Sequence, residues 1–488
     1  MKIKALYLVA FVLITSCASK QKKQKETRLP NIVYILADDL GYGDVSYLNP
    51  ESKIKTPYID ALAQNGISFT DAHSSSAVCT PSRYSILTGR YAWKTGLKKG
   101  VLTGFSPPLI EGNRETVASL LKKKGYQTAC IGKWHLGMNW QTTDNQRALK
   151  NGNNIDFTKE ILNGPITNGF DYFYGIPASL DMSPFIFIEN NRVVEIPNHK
   201  FVKRSAFGRP GFAIKDLEPE DFLPMLTSKT VAQVKEYAKN KKQPFFIYMP
   251  LPAPHTPVAP NQDFIGKSQA GKYGDFVVEV DHTVGRIVQA LKEAGVEDNT
   301  LVIITSDNGP EVHAYARIKE FDHKSMGRLR GVKRDSWEGG HRVPFFAQWP
   351  NVIAKGGVYN KTICLSDLFA TAAEISQQSV PENAGEDSYS VLSVLKGKNN
   401  ETRPYTIHHS AQGHFSIRKA DWVLIDYKTG NDNKRKIAAD LNRGYPKDDL
   451  YDGQLFNLKD DLSEFKNLYN DYPEKVKALK DLLDASKQ

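Results

Sequence analysis

The chain has 488 residues, with 64 Lys and Arg against 54 Asp and Glu, a formal net charge of +10. It is 40% hydrophobic and 24% charged, which excludes a disordered chain and fits one large core with a smaller appended piece, or two middling domains. Four Cys without a CxxC pair exclude a disulfide scaffold and a thiolate zinc site, while the positive balance favours an anionic partner without naming it.

Lys2 and Lys4 precede the apolar run Ala5 to Ile14, and Thr15, Ser16 and Cys17 follow. That order describes a secretory leader, and the run falls short of the roughly 20 apolar residues a bilayer-spanning helix needs. The segment Ile14-Thr15-Ser16-Cys17 resembles a bacterial lipobox, which implies a lipoprotein leader over 1–17 with Cys17 lipidated. A plain leader with a chance Cys is the alternative. Residues 18–29 form a polar linker with five cations against Glu26. With Lys2 and Lys4 in the leader, most of the +10 therefore lies outside the folded body.

Ile32 to Ala37 is an apolar, β-branched run ending in acids and glycines, the pattern of a buried parallel strand that opens into a loop. Ile59, Leu62 and Ala63 share one face of a helix predicted over Pro57 to Asn65, which Gly66 ends. A helix over Glu115 to Lys124 leads into a strand at Gln127 to Ile131, and Pro244 to Leu251 reads as another buried strand. The amphipathic helix Phe276 to Ala294 leads into the strand Leu301 to Thr305. Helices alternating with apolar strands indicate an α/β fold, a large mixed, mostly parallel sheet sandwiched by helices, with ligands at the carboxyl ends of the strands. After a helix over Asp367 to Ser376, the polar stretch Gln377 to Ser388 precedes strand-like His414 to Arg418 and Trp422 to Tyr427, then a final helix from about Pro473 to Ala485. This divides the body into a main domain over 30–376 and a small α+β subdomain over 377–488.

Several reactive groups fall at strand ends. Asp38-Asp39 follows the first strand, and Asp307-Asn308-Gly309 follows the strand ending at Thr305. Adjacent carboxylates at a buried end repel unless a cation or protons neutralise them. Four hard oxygen ligands suit Ca²⁺ or Mg²⁺ and not a soft metal. Taken singly, each motif also reads as a helix cap or a turn.

Cys79-Thr80-Pro81-Ser82-Arg83, continuing to Leu87-Thr88-Gly89-Arg90, resembles the signature of the type I sulfatases, of the alkaline-phosphatase-like superfamily. A lone Cys beside a helix start is otherwise a buried thiol, but the resemblance continues along the chain. Asn31 to Asp44 resembles the family's opening strand and first calcium half-site, and Gly132-Lys133-Trp134-His135-Leu136-Gly137 its Lys/His motif. Gly175 to Ser179, Pro254-His255-Thr256-Pro257, Ser306 to Gly309 and Gly331-Val332-Lys333 follow in the family's order. No catalytic position departs from the pattern, and the likeness covers about residues 30 to 376.

The resemblance implies that Cys79 is oxidised by a maturation enzyme to formylglycine, whose hydrate is the nucleophile. It implies that Asp38, Asp39, Asp307 and Asn308, with the group made from Cys79, hold one Ca²⁺. Lys133, Lys333 and Ser179 then bind the substrate sulfate, Arg83 steadies the hydrate, His135 handles its proton, and His255 protonates the leaving oxygen. Cys130 and Cys364 are expected as buried thiols, a disulfide between them staying open. His313, Arg317, His341 and Arg342 are expected either to line sugar subsites or to be solvated. Phe170 to Tyr174 reads as core, and Gly41-Tyr42-Gly43 is a weak dinucleotide signal.

The expected activity is hydrolysis of sulfate monoesters on a sulfated polysaccharide or oligosaccharide by an exported protein, lipid-anchored to a bacterial envelope membrane. No sequence feature points to nucleic acid. Two rivals stand beside it: a phosphate or phosphonate ester hydrolase of the same superfamily, and a non-catalytic glycan-binding surface lipoprotein.

Overall fold

The computed structural model describes residues 28–433, 437–447 and 450–487, so the leader, Cys17 and most of the tether lie outside the described residues. Asn31–Ala37 is the centre of a ten-stranded mixed sheet. Phe245–Pro250 and Thr300–Ser306 flank it in parallel, and Gln127–Lys133 and Tyr172–Ile176 extend the parallel run beyond Phe245–Pro250. Phe345–Gln348 joins the other side antiparallel, followed by the short strand Ile67–Phe69 and the edge strand Gly357–Tyr359.

Alternation along the first strand shows why the sheet is covered on both faces. Ile32, Tyr34 and Leu36 enter one apolar core, and Val33, Ile35 and Ala37 enter the other. The second core contains Phe276, Val280, Val284, Ile287 and Leu291 from the long helix Gly271–Glu293. Asp281 on that helix caps its neighbour Pro57–Gln64, accepting from the Tyr58 and Ile59 amides at 3.2 and 2.7 Å.

The helix Cys79–Thr88 is buried at all ten positions and ends at Gly89 in the left-handed conformation, φ +66°. A side chain at Gly89 would lie 2.7 Å from the Gly385 Cα and 2.8 Å from the Phe369 Cβ, so the helix end fits only glycine. Beyond the main sheet, Thr406–His409, Phe415–Lys419, Trp422–Ile425 and Gln454–Asn457 form a four-stranded antiparallel sheet. Val476, Leu479 and Leu483 of the closing helix Pro473–Lys487 bury against it. Val391, Leu392 and Leu395, further back along the chain, belong instead to a core of the main sheet. Among the described residues no helix is long and apolar enough to cross a membrane.

Candidate active site

Register brings the first two motifs together. Ala37 pairs with Ser306 in the parallel ladder, so Asp38-Asp39 and Asp307-Asn308 leave adjacent strands side by side. The Asp38 amide donates to Ala253 O at 2.9 Å and the Asp39 amide to Asp307 Oδ1 at 3.2 Å. Asp39 has φ +66°, a left-handed backbone that a non-glycine residue adopts only where its surroundings hold it. Lys133 ends its strand opposite Ile176, three residues before Ser179, and His255 lies five residues past Pro250. The carboxyl ends of five parallel strands thus converge on one spot.

Cys79 opens its helix and Arg83 stands one turn on, at i and i+4, hence on one face. The Arg83 guanidinium donates to Asp307 Oδ2 through Nε at 2.9 Å and Nη2 at 2.7 Å, and to Lys133 O at 3.1 Å. Cys79 Sγ lies 3.7 Å from Asp38 Oδ1. Lys133 Nζ donates to Asp38 Oδ2 at 2.6 Å and reaches Ser179 Oγ at 3.4 Å. Lys333 Nζ is 2.7 and 2.8 Å from the two Asp39 oxygens. Three buried carboxylates therefore face three buried cations.

Burial works against ionising Asp38, yet Lys133, His255, Arg83 and Lys333 hold its carboxyl well below the usual range. Burial also pushes the Cys79 thiol up to about 12, despite the pull of the two lysines. An unmodified Cys79 is consequently a neutral thiol at physiological pH and a poor nucleophile.

The two histidines are held differently. His135, at φ +57°, bonds Leu102 O through Nε2 at 2.8 Å, while its buried Nδ1 has no partner. Burial, reinforced by Lys133 and Arg83, holds its pKa well below the ordinary imidazole value, so the ring is neutral and Nδ1 offers a lone pair. His255 Nδ1 bonds Thr256 O at 2.5 Å and lies 3.2 Å from Ser179 Oγ, and its Nε2 is 3.7 Å from Asp39 Oδ2.

One oxygen tests whether a hard cation fits. The Asn308 amide Nδ2 donates to Asp39 Oδ1 at 2.7 Å and Gly309 O at 2.9 Å, but the buried Oδ1 accepts from nothing. Asp38, Asp39, Cys79 and His255 place ligand atoms within 4.8 Å of one another. An orphaned amide oxygen among carboxylates is the donor set of Ca²⁺ or Mg²⁺, and the residues fit that ion.

A second buried cluster, His73, His341 and His408 beside Asp71 and Glu338, also groups potential ligands. Its ring nitrogens are already matched. His73 bonds His341 Nδ1 and Asp71, His341 bonds Ser336 O, and His408 bonds Ser74 O and Thr406 Oγ1. This is a polar joint between the two-stranded sheet that carries His73, the short helix that carries His341, and the C-terminal sheet.

The expectation for Arg317, His341 and Arg342 is corrected here. Arg317 stacks on Tyr273 and bonds Ser325, His341 sits in that polar joint, and Arg342 donates to Thr70 O and Glu338. All three are buried and not solvated, Arg342 also lines a cavity with Tyr42 and Lys324, and of the four only His313 is exposed. Cys79, Cys130 and Cys364 are buried free thiols, and Phe170 and Phe173 are core. Missed in the sequence were Tyr273 and His323, which hold Asp44 at 2.6 and 2.7 Å while Asp44 accepts from the Gly41 amide at 2.7 Å. Asp44 was visible within the opening motif, but its partners lie over 200 residues away and carry no motif of their own.

A family model described as Sulfatase matches residues 30–377. The chain is 33% identical to an N-acetylgalactosamine-6-O-sulfatase of Bacteroides thetaiotaomicron, over 98% of both chains. It is 32% identical to arylsulfatase A of Bos taurus, covering 93% of this chain and 87% of that one. A solved structure from work on the metabolism of multiple glycosaminoglycans by Bacteroides thetaiotaomicron superposes with TM-score 0.80 at 31% identity, covering 94% of this chain and 100% of that one. A sulfatase from Pseudoalteromonas sp. superposes with TM-score 0.74 at 25% identity, covering 94% and 90%. The signature around Cys79, the converging strand ends and these matches agree, and the chain belongs to the sulfatase family, sulfuric ester hydrolases of the alkaline-phosphatase-like superfamily.

Proposed function

We propose that this sulfatase removes 6-O-sulfate from galactosamine-type residues of glycosaminoglycan fragments, with residue 79 converted to formylglycine and one Ca²⁺ held by Asp38, Asp39, Asp307 and Asn308. The observation that carries the substrate class is the match over 98% of both chains to an N-acetylgalactosamine-6-O-sulfatase. As formylglycine, residue 79 supplies a hydrated aldehyde whose hydroxyl serves as the nucleophile that the thiol cannot be. Calcium, when bound, polarises a sulfate oxygen and offsets the negative charge of the ester.

The chain's own groups do the rest. Lys133 and Lys333 donate charge-assisted hydrogen bonds to the sulfate oxygens in a water-poor site, where such bonds count most. Arg83, fixed by Asp307, orients residue 79. His135 is neutral with Nδ1 unpartnered, and so accepts a proton from residue 79. His255 gives a proton to the departing sugar oxygen, with Ser179 and Thr256 fixing its ring. Cys79 is 2% exposed in the folded chain, so its maturation enzyme meets it before folding is complete.

The experiment is the mass of the tryptic peptide carrying position 79, paired with sulfate release from 6-O- and 4-O-sulfated N-acetylgalactosamine. Loss of sulfur and two hydrogens with gain of one oxygen at position 79, and turnover confined to the 6-O ester, are expected. An unconverted thiol in the native host defeats the formylglycine reading, and preference for the 4-O ester defeats the substrate assignment. The lipobox-like segment supports anchoring through Cys17 to an envelope membrane facing such glycans. Fatty-acid labelling that persists in Cys17→Ser rejects this.

A further inference from the structure

We propose that Asn433 is a positioning residue for Lys333, so that the C-terminal subdomain is a working part of the catalytic site. The proposal rests on the reading that Lys333 grips the substrate sulfate. The Asn433 side chain, buried at 8% exposure, spends both amide hydrogens on the turn that carries Lys333. Nδ2 donates to the Lys333 carbonyl at 2.8 Å and to Asp335 Oδ1 at 2.9 Å. The Asp432 amide reaches the same Asp335 oxygen at 3.0 Å, and the other Asp335 oxygen accepts from the Val332 amide at 2.9 Å. Asn433 is thus the clip that joins both ends of a closed turn.

The turn needs the clip because its backbone is unfavourable. Arg334, the residue after Lys333, has φ +84°, outside the range a side-chain-bearing residue holds by itself. From the main domain it is tied by Lys333 N to Pro310 O at 2.9 Å and Arg334 N to Ala77 O at 2.8 Å. From the C-terminal subdomain come Ala411 N to Arg334 O at 3.1 Å, Ser336 N to Gly430 O at 2.8 Å, and Asn433. Pro310 and Ala77 follow or precede catalytic motifs, so these contacts set the Lys333 backbone against the metal half-site and the helix of Cys79. Among the described residues, Asn433 is the side chain of the C-terminal subdomain that bonds the Lys333 backbone directly. Without it the ammonium, now 2.7 Å from Asp39, loses a fixed origin. Misplacement of a binding group by about 1 Å costs on the order of 100-fold in rate.

The test is a double-mutant cycle. Turnover of a 6-O-sulfated monosaccharide and competitive inhibition by inorganic sulfate are measured in the wild type, Asn433→Ala, Lys333→Ala and the double variant, with thermal midpoints for each. Asn433→Ala is expected to lower kcat/KM by roughly 10- to 100-fold and to weaken sulfate inhibition. In the Lys333→Ala background the same change should add nothing, because the group it positions is gone. Equal losses in both backgrounds, or no loss in either, overturn the proposal; the first describes a scaffold residue and the second a bystander. Where Lys333→Ala turnover is too slow to follow, sulfate inhibition carries the cycle. If Asn433→Ala fails to fold, Asn433→Asp, which keeps the shape but removes the donor, takes its place and must show the same pattern. Should Lys333→Ala turn over and bind sulfate like the wild type, the sulfate role of Lys333 itself has failed, a signature distinct from failure of the clip.

Discussion

Replacing His255 with alanine isolates the departure of the sugar oxygen from every other step. Thr256 O lies 2.5 Å from Nδ1, and a carbonyl only accepts, so Nδ1 carries a proton in every state of the ring. In the proposed mechanism Nε2, 3.7 Å from the Asp39 carboxylate, is then the atom that gains and gives the catalytic proton. Asp39 steadies the charged ring, while Ser179 Oγ at 3.2 Å holds its other edge. Proton donation by a positioned side chain is worth about 10²- to 10⁴-fold, or ~3–5 kcal/mol of barrier. An alkoxide from a sugar needs all of this help, and a nitrophenolate needs almost none. His255→Ala should therefore lower kcat on a 6-O-sulfated sugar about 10³-fold, and on nitrophenyl sulfate less than about threefold. Steady-state release of sulfate from one substrate and of nitrophenol from the other gives both numbers. Equal losses on the two substrates refute the reasoning, and would make His255 a group that positions sulfate or metal.

Cys79→Ala should abolish turnover on every ester while leaving the thermal midpoint within a few degrees, since a buried thiol is replaced by a smaller apolar group; residual activity above background rejects the assigned nucleophile. At the joint between the two sheets, Arg418 holds both Asp71 oxygens at 2.7 Å, and Arg418→Met should cost about 3–5 kcal/mol by stranding a buried carboxylate, as denaturant unfolding will read. The same joint makes stability depend on acid. Burial holds His341 down at about 3, and Asp71 is held well below the usual carboxylate range by Arg418 and Arg342 against the effect of burial. Groups with lowered folded pKa values stabilise above their unfolded values and lose that contribution as pH falls. The histidine contribution should fade from about pH 6.5 downward and the Asp71 contribution below about 3.9. A thermal midpoint that is flat between pH 7 and 4 contradicts this.

What the sequence made legible was whatever local chemistry determines. The strands at Ile32 and Leu301 are unmixed apolar β-branched runs, and their observed limits, Asn31–Ala37 and Thr300–Ser306, differ from the expected ones by a residue. The long helix begins at Gly271, five residues before Phe276, because its first turn contains Gly271 and Gly274 and presents no apolar stripe; Asp275 and Ser268 hold that end instead. The sequence does not mark Thr406–His409 as a strand. Its two histidines look polar, and its burial comes from distant partners such as Ser74 O. The short strands Ile67–Phe69 and Gly357–Tyr359 are three residues each, too short for any period to show. At the site, motif residues were found because each motif is contiguous in sequence. Asn433, Tyr273 and His323 act through bonds to remote backbone and carboxylate groups, which no local pattern records.

The pairing of charges at the site carries a last consequence. Asp38, Asp39 and Asp307 are each already paired with a cation, Lys133, Lys333 and Arg83 respectively. Arg83 is locked in place by three hydrogen bonds, but the two lysines each grip a carboxylate that the proposed calcium also uses. A dication taken up by Asp38 and Asp39 would compete with Lys133 and Lys333 for the same carboxylate oxygens. In the proposed holoenzyme such a cation would leave both ammonium groups for the ester, whose negative charge would answer the added positive charge. Sulfate and calcium should then bind with positive coupling, each tightening the other by the same factor. Inorganic sulfate is expected to raise the thermal midpoint in calcium and to do so much less in a calcium chelator, a difference of roughly 1–3 kcal/mol in coupling. In Lys133→Ala the coupling should shrink, because one of the two released cations is missing. Sulfate that protects equally with and without calcium would show that the lysines are free from the start, and that the acids at these strand ends serve only to hold them.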